Sequence, residues 1–237
     1  MSEALLQASS LYAGYGKMTV LHDISFEINS GEIVALVGSN GAGKTTLLRA
    51  LSRIIPSAGE IKFKGHALEK LTPEQVFGLG LVQVPEGRQL FEAMTVEDNL
   101  LMGTYRRRDQ SKIRSDLEKV YTLFPILKTR RKQLSGSLSG GEQQICAIGR
   151  ALMAAPSLLM IDEMSLGLAP IIVAQLLEAL LEIRKEGVTI LLVEQDVFSA
   201  FQNADRGYVL EIGKIIRSGS AKELVNDPEI RRAYLGI

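Results

Sequence analysis

One stretch of the sequence has the residue types and spacing of a phosphate-binding loop. Residues 38–45 fit the pattern G-x-x-x-x-G-K-[ST], follow an apolar run and open a helix-like stretch. Glycines let consecutive backbone N–H groups point at an anion, and a helix N-terminus adds partial positive charge. We expect Lys44 to reach the β- and γ-phosphates of a nucleotide, the Thr45 hydroxyl to hold Mg²⁺, and Thr46 to support the phosphates. The candidate binding residues are Gly38, Asn40, Gly41, Ala42, Gly43, Lys44, Thr45 and Thr46.

Two adjacent carboxylates, Asp162 and Glu163, follow the apolar run 158–161. In parallel-sheet proteins, ligand sites lie at the carboxyl ends of the strands. Because successive strand residues point to opposite sides, the two acids can have separate roles. We expect Asp162 to face Mg²⁺ through water, and Glu163 to act on the water that attacks the γ-phosphate.

A third stretch, LSGGEQQ at 138–144, predicts a second anion site without a lysine of its own. Ser139 is a natural N-cap, and Gly140 and Gly141 expose backbone N–H groups. The helix predicted from Glu142 directs its dipole at an anion. The chain therefore carries two places suited to a phosphate.

Strand-like and helix-like stretches alternate around these motifs, which predicts an α/β core. Several runs are continuously apolar, the pattern of strands buried on both faces of a parallel sheet. At the N-terminus, 5–12 and 20–28 flank a turn at 14–16, which predicts an antiparallel hairpin. We predict strands at 23–28, 33–37, 79–84, 158–161, 189–193 and 208–212, and helices at 44–53, 96–105, 112–124, 142–154 and 170–185.

Composition excludes several classes of protein. At roughly 150 residues per domain, 237 residues form one large domain or two interleaved lobes. Lysine and arginine total 27, as do aspartate and glutamate, and this zero net charge argues against a nucleic-acid-coating protein. Two histidines and one cysteine are too few for zinc sites or a disulfide framework. No apolar stretch approaches the about 20 residues of a membrane span, and the polar N-terminus does not fit a signal peptide.

The phosphate loop, the paired carboxylates and the LSGGEQQ string together make the chain resemble the ATP-binding subunit of an ABC transporter, over essentially all 237 residues. In that family two subunits pair head to tail, and each ATP lies between the phosphate loop of one and the signature of the other. The resemblance implies one ABC ATPase domain, 1–237, with a P-loop NTPase (RecA-like) core. This core, with its N-terminal antiparallel β subdomain, would span 1–86 and 156–237, and an inserted helical subdomain, 87–155, would carry the signature.

The resemblance assigns roles to further residues. Tyr15 would stack on adenine, with Tyr12 as the competing aromatic residue. Gln195 stands where the family has its switch histidine, and is the second catalytic candidate. Glu86 stands where most members have a glutamine that senses Mg²⁺ and the membrane subunit, and nearby Gln83 is easily mistaken for it.

Glu86 is the third metal candidate, beside Thr45 and Asp162. A carboxylate should be repelled by the γ-phosphate unless Mg²⁺ or a basic neighbour offsets it, and Arg88 is the nearest basic residue in sequence. We therefore expect Glu86 to bind Mg²⁺ weakly in the isolated subunit. Its loop, with residues 91–99, should contact the membrane subunit.

Three strings resemble the ATPase subunits of branched-chain amino-acid importers: VPEGR at 84–88, SLGLAP at 165–170 and LVEQ at 192–195. The tail 230–236 resembles the same subfamily. Met164 departs even from that subfamily, because proline normally follows the catalytic glutamate. Its apolar bulk predicts a small shift of the loop.

The resemblance implies an ATPase with ATP and Mg²⁺ as cofactors, peripheral on the cytoplasmic face of the cell membrane. Its partners would be membrane-spanning permease subunits, a second ATPase subunit and, indirectly, a periplasmic or surface substrate-binding protein. Homodimer and heterodimer both stay open, and the ATPase does not contact the transported substrate.

Other classes of nucleotide-binding protein are alternative interpretations of these motifs. The chain could serve another class of transporter. A soluble ABC-type ATPase acting on ribosomes or DNA usually fuses two ATPase units or carries a long coiled-coil insertion, and 237 residues leave room for neither. A P-loop kinase or GTPase would leave LSGGEQQ without a purpose, and no N-K-x-D guanine-reading motif occurs.

Overall fold

The computed structural model describes residues 4–232, which form two sheets and their covering helices. The strands are β1 Leu6–Tyr15, β2 Met18–Ile28, β3 Ile33–Val37, β4 Ser57–Phe63, β5 His66–Ala67, β6 Leu81–Val84, β7 Leu158–Asp162, β8 Thr189–Glu194, β9 Arg206–Glu211 and β10 Lys214–Ser220. The helices are α1 Lys44–Leu51, α2 Pro73–Gly78, α3 Val96–Met102, α4 Gln110–Leu123, α5 Pro125–Thr129, α6 Gly140–Leu152, α7 Pro170–Lys185, α8 Val197–Gln202, α9 Ala221–Asn226 and α10 Pro228–Ile230.

The larger sheet has the strand order β10-β9-β3-β8-β7-β6. Its strands pair in parallel except at the edge, where β10 pairs antiparallel with β9. Every residue of β3, β7 and β8 is buried, as continuously apolar runs predict for a sheet covered on both faces. The predicted α/β core is confirmed. Sequence reasoning did not predict β10, which is mostly exposed and therefore not an apolar run.

The smaller sheet is antiparallel, in the order β2-β1-β4-β5. The predicted hairpin is present, but β1 continues to Tyr15, which pairs with Met18. The turn therefore lies at Gly16 and Lys17, later than expected. This sheet shares one apolar core with α1 and the adjacent face of the larger sheet.

Helices α3 to α6 occupy most of the region 96–152. Helix α6 begins at Gly140, two residues before the predicted start, because Ser139 and Glu142 cap it reciprocally. The Glu142 backbone N–H donates to the Ser139 hydroxyl at 3.3 Å, and the Ser139 N–H donates to the Glu142 carboxylate at 2.8 Å. Helix α3 ends at Met102, three residues before the predicted end.

The turn between β9 and β10 supports the loop that follows β3. The Gly213 N–H donates to the Ala42 carbonyl at 2.9 Å, and the His22 N–H donates to the Gly213 carbonyl at 2.8 Å. A Cβ atom at Gly213 would lie 1.9 Å from the Val20 carbonyl oxygen, and its φ is +72°. Only glycine allows this close approach, which fixes the loop against β2 and β9.

None of the helices within residues 4–232 combines the length and apolarity needed to cross a bilayer. Of the tail singled out at 230–236, residues 233–236 lie outside the described residues. Met164, the unusual residue after the catalytic candidate, is buried in the core beneath α6 and α7.

Candidate nucleotide site

The loop between β3 and α1 has the backbone of an anion site. Gly41 and Gly43 have φ values of +80° and +110°, which favour glycine. Gly38 lies so close to β9 that a Cβ atom there would be 2.3 Å from the Leu210 carbonyl oxygen. Helix α1 starts after Gly43, which has no side chain to cap its first N–H groups. These N–H donors and the helix dipole are therefore available to a ligand.

Lys44 is nearly buried and is held at the base of this loop. Its ammonium donates to the carbonyl oxygens of Gly38 at 2.7 Å and Ser39 at 3.2 Å, and forms an ion pair with Glu163 at 3.0 Å. The side chains of Lys44 and Glu163 are 5% and 10% exposed. Their attraction is stronger than that of a surface pair, because little water screens it. The Glu163 carboxylate thus occupies an anion position beside Lys44.

Asp162, the last residue of β7, is a buried carboxylate whose hydrogen-bonding capacity is unused. Neither of its oxygens has a hydrogen-bond partner among residues 4–232. Burial, with the charges of Glu163 and Glu86, raises the pKa of Asp162 to about 6. The Thr45 hydroxyl opposes this rise in pKa, although it lies outside good hydrogen-bond geometry. Buried carboxylates without donors are costly, so oxygens of this kind beside a hydroxyl fit a hard cation such as Mg²⁺.

A cavity of about 360 Å³ brings most of the predicted site residues together. Ser139, Gly140 and Gly141 are not among its lining residues and instead start α6. The start of α6 is therefore not part of the wall of this cavity. The cavity is lined by Val20, Asn40, Gly41, Gly43, Lys44, Thr45, Thr46, Glu86, Glu163, Leu166 and Gln195.

Glu86 and Gln195 both line this cavity, whereas Gln83 does not. Gln83 lies in β6, where its side-chain carbonyl accepts a hydrogen bond from Ser52 at 3.0 Å. Arg88, the basic residue nearest to Glu86 in sequence, donates instead to the Gln143 side chain at 3.2 Å. The Arg88 side chain is therefore bound to α6 through Gln143.

Tyr15 and Tyr12 are equally exposed, at 43% each, and Tyr15 makes a hydrogen bond with α1. The Tyr15 hydroxyl accepts a hydrogen bond from Arg49 at 3.0 Å, and the Arg49 guanidinium lies 6.0 Å from the ring centre. Tyr15 is near the helix that starts at the phosphate loop, although it does not line the cavity.

Sequence reasoning gave no role to Glu194, the residue before Gln195. Glu194 is 3% exposed and accepts hydrogen bonds from the Ser165 N–H at 3.1 Å and the Ser165 hydroxyl at 2.7 Å. Burial raises the pKa of Glu194 to about 7, and the Ser165 hydrogen bonds oppose the rise. The sequence signal that could have identified Glu194 is its position as an acidic residue at the end of the apolar strand β8.

A larger groove, of about 920 Å³, lies between α4, α5, α6 and α7. Its walls are mainly apolar, with charged side chains such as Glu178 and Lys185 at the rim. No predicted site residue lines it, whereas Lys44 and Glu163 line the smaller cavity.

Residues 21–165 match the family model described as ABC transporter. The chain belongs to the ABC transporter family. It is an ATPase coupled to transport, built on the P-loop NTPase fold, and such subunits bind nucleotide and work with membrane permease components.

Three similar proteins illustrate the relationship. The high-affinity branched-chain amino acid transport ATP-binding protein BraG of Pseudomonas aeruginosa is 48% identical over 94% of this chain and 95% of its own. The lipopolysaccharide export system ATP-binding protein LptB of Acidithiobacillus ferridurans is 32% identical, covering 100% of this chain and 98% of its own. A solved ADP conformation of an ATP-binding cassette of an ABC transporter is 26% identical, with a TM-score of 0.83 and full coverage of both chains.

Replacing Lys44 with alanine should weaken ATP binding by at least about 10- to 100-fold, because charge-assisted hydrogen bonds to the phosphates are lost in a site with little water. Isothermal titration calorimetry on the purified ABC ATPase measures the effect. The exposed Lys70→Ala variant is the control for loss of one positive charge. Near-normal ATP affinity in Lys44→Ala would contradict the assignment of the phosphate loop.

Proposed function

We propose that this chain powers an importer of branched-chain amino acids by binding and hydrolysing ATP. The observation that carries the proposal is the 48% identity to BraG along almost the whole length of both chains. The strings VPEGR, SLGLAP and LVEQ, which resemble that subfamily, contribute Glu86, Leu166 and Gln195 to the cavity wall. The three strings that resemble the subfamily therefore each contribute a residue to the candidate nucleotide site.

Within the site, Lys44 and the N–H groups of the loop would bind the ATP phosphates. Thr45 and Asp162 would hold Mg²⁺, directly or through water, with Glu86 as a weaker third group. No cluster of three or more His, Cys, Asp or Glu side chains in residues 4–232 could hold a metal alone, so the cation would also need phosphate oxygens and water. Tyr15 would stack on adenine, favoured over Tyr12 by its contact with Arg49 on α1.

Hydrolysis requires a group that orients and deprotonates the attacking water. Glu163 lies in the cavity, paired with Lys44 at 3.0 Å. When phosphate oxygens take Lys44, the Glu163 carboxylate becomes free to accept a proton from water. Gln195 lines the same cavity and would orient the water or γ-phosphate through its amide.

The second anion site would act on the nucleotide of another subunit. Ser139, Gly140 and Gly141 form a capped helix start that is absent from the cavity of their own chain. A symmetric head-to-tail pair would bring each such helix start to the cavity of its partner, closing two sites with one surface. The partner would be a second copy or a related ATPase.

The whole chain would be peripheral on the cytoplasmic face of the membrane. Within it, the region 87–155 would form the helical subdomain, and 1–86 with 156–237 would form the core. The loop after β6 connects the two parts. Arg150 of α6 donates to the carbonyl oxygens of Arg88 at 3.0 Å and Gln89 at 2.8 Å. This loop, which starts at Glu86 in the cavity, leads to the exposed Phe91. It therefore suits transmission between nucleotide and permease.

A second candidate function is ATP hydrolysis for another transporter class, since two LptB proteins match 98–100% of the chain at 31–32% identity. Membrane vesicles containing the assembled transporter distinguish the two. With a substrate-binding protein present, leucine, isoleucine and valine should be taken up into the vesicles and should stimulate ATP hydrolysis. Lysine should be neither taken up nor stimulatory. Uptake should be lost with Lys44→Ala. Absence of stimulation by all three branched-chain amino acids would refute the proposed substrate class.

Glu86→Gln should change transport-coupled ATP hydrolysis more than the basal hydrolysis of the free chain, because Glu86 begins the loop that Arg150 joins to α6. The comparison measures both activities, with and without membrane subunits. Glu60→Gln, which removes the charge of an exposed acid in β4, outside the loop and the cavity, is the matched control. A large loss of basal activity with unchanged coupling would instead assign Glu86 to the Mg²⁺ site.

A further inference from the structure

A buried acid beside the catalytic cavity has no role in the mechanism described so far. Glu194 is the last residue of β8, which lies between β3 and β7 in the sheet. It is 3% exposed and does not line the cavity. Both of its carboxylate oxygens accept hydrogen bonds from Ser165, at 3.1 Å from the N–H and 2.7 Å from the hydroxyl.

These two hydrogen bonds act on the turn that carries Glu163. The Glu163 N–H donates to the Val193 carbonyl at 2.9 Å, and Ser165 is attached to Glu194. Three hydrogen bonds therefore fasten residues 163–165 to the end of the neighbouring strand. Leu166, the next residue, forms part of the cavity wall.

Glu163 needs such support because its backbone is strained. Its φ is +50°, in the left-handed region. This conformation costs a residue with a side chain roughly 1–2 kcal/mol, and it persists only where surrounding contacts enforce it. Without the strained backbone, the Glu163 carboxylate would not keep its direction toward the cavity.

We propose that Glu194 is a positioning residue for Glu163. Its carboxylate fixes the turn at Ser165 and thereby aims the Glu163 side chain at the attacking water. This inference rests on the proposed role of Glu163 as general base. A carboxylate suits the task because it supplies two acceptors and no competing donor, one for each Ser165 group.

The surroundings of Glu194 disfavour its negative charge, so the carboxylate depends on its hydrogen bonds with Ser165. The negative charges of Glu163 and Asp196 act against a charged Glu194, as does burial, and Ser165 supplies its compensating donors. Truncation of Glu194 would therefore leave the Ser165 N–H and hydroxyl without their acceptors beside the cavity.

The test measures ATP hydrolysis by the assembled transporter carrying Glu194→Ala, Ser165→Ala or Glu194→Gln. Glu194→Ala should lower kcat about 10-fold or more while KM for ATP changes less than about threefold, because ATP binding does not involve this residue. Ser165→Ala, which removes one of the two hydrogen bonds, should lower kcat by less. Glu194→Gln should restore kcat to within about threefold of the parent, since the amide can accept from the Ser165 N–H and donate to its hydroxyl.

Two further variants separate positioning from general destabilisation. Glu211→Ala removes the exposed glutamate that ends β9 and should leave kcat unchanged. In a Glu163→Gln background, Glu194→Ala should cause no further loss of kcat, because the group that it positions is already removed. If Glu194→Ala does not fold, Ser165→Ala tests the same contact with one hydroxyl deleted.

Parental kcat in folded Glu194→Ala and Ser165→Ala would overturn the inference. So would a Glu194→Gln variant as inactive as Glu194→Ala, or full additivity with Glu163→Gln. Near-normal turnover in Glu163→Gln alone would instead refute the proposed general base, so the two failures are distinguishable.

Discussion

The carboxyl end of the central sheet gathers negative charge, and the site depends on how that charge is balanced. Burial, together with repulsion from neighbouring carboxylates such as Glu163, raises the pKa values of Asp162 and Glu194 there. Among the described residues that line the cavity, Lys44 is the one cation, and Glu163 already occupies it. A nucleotide with its divalent cation would complement this arrangement, because phosphate would compete for Lys44 and the cation would take the free oxygens of Asp162. Under the proposed function, binding would thereby release Glu163 to act on water.

Hydrogen bonds from the backbone and side chains of neighbouring elements hold these charges in place. The turn at Gly213 supports the phosphate loop through Ala42, and Glu194 holds the turn after β7 through Ser165. The loop after Glu86 is tied to α6, the helix that begins with the signature. Hydrogen bonds therefore support several sides of the cavity. The loop after Glu86 joins the cavity wall to α6, which suits it to the proposed transmission between the nucleotide site and the signature helix.

Sequence-based prediction of the fold was accurate where the information is local. The phosphate loop, the paired carboxylates and the capped helix at Ser139 are short strings, and apolar runs report strands buried on both faces. Contacts between distant residues escaped it. The Glu194–Ser165 contact joins residues 29 positions apart, and Arg88 reaches Gln143 across 55 positions. Strand β10 was missed because an exposed edge strand lacks the apolar run that marks the core strands.

The central claim is that Lys44 leaves its ion pair with Glu163 when it binds phosphate. The ATP affinity of the Glu163→Gln variant tests this claim most directly. Calorimetry would compare the variant with the parent chain at a concentration where light scattering shows monomers. The uncharged amide releases Lys44 and removes a negative charge beside the γ-phosphate, so ATP should bind about threefold tighter or more. Equal or weaker binding by Glu163→Gln would show that Glu163 and phosphate do not compete for Lys44.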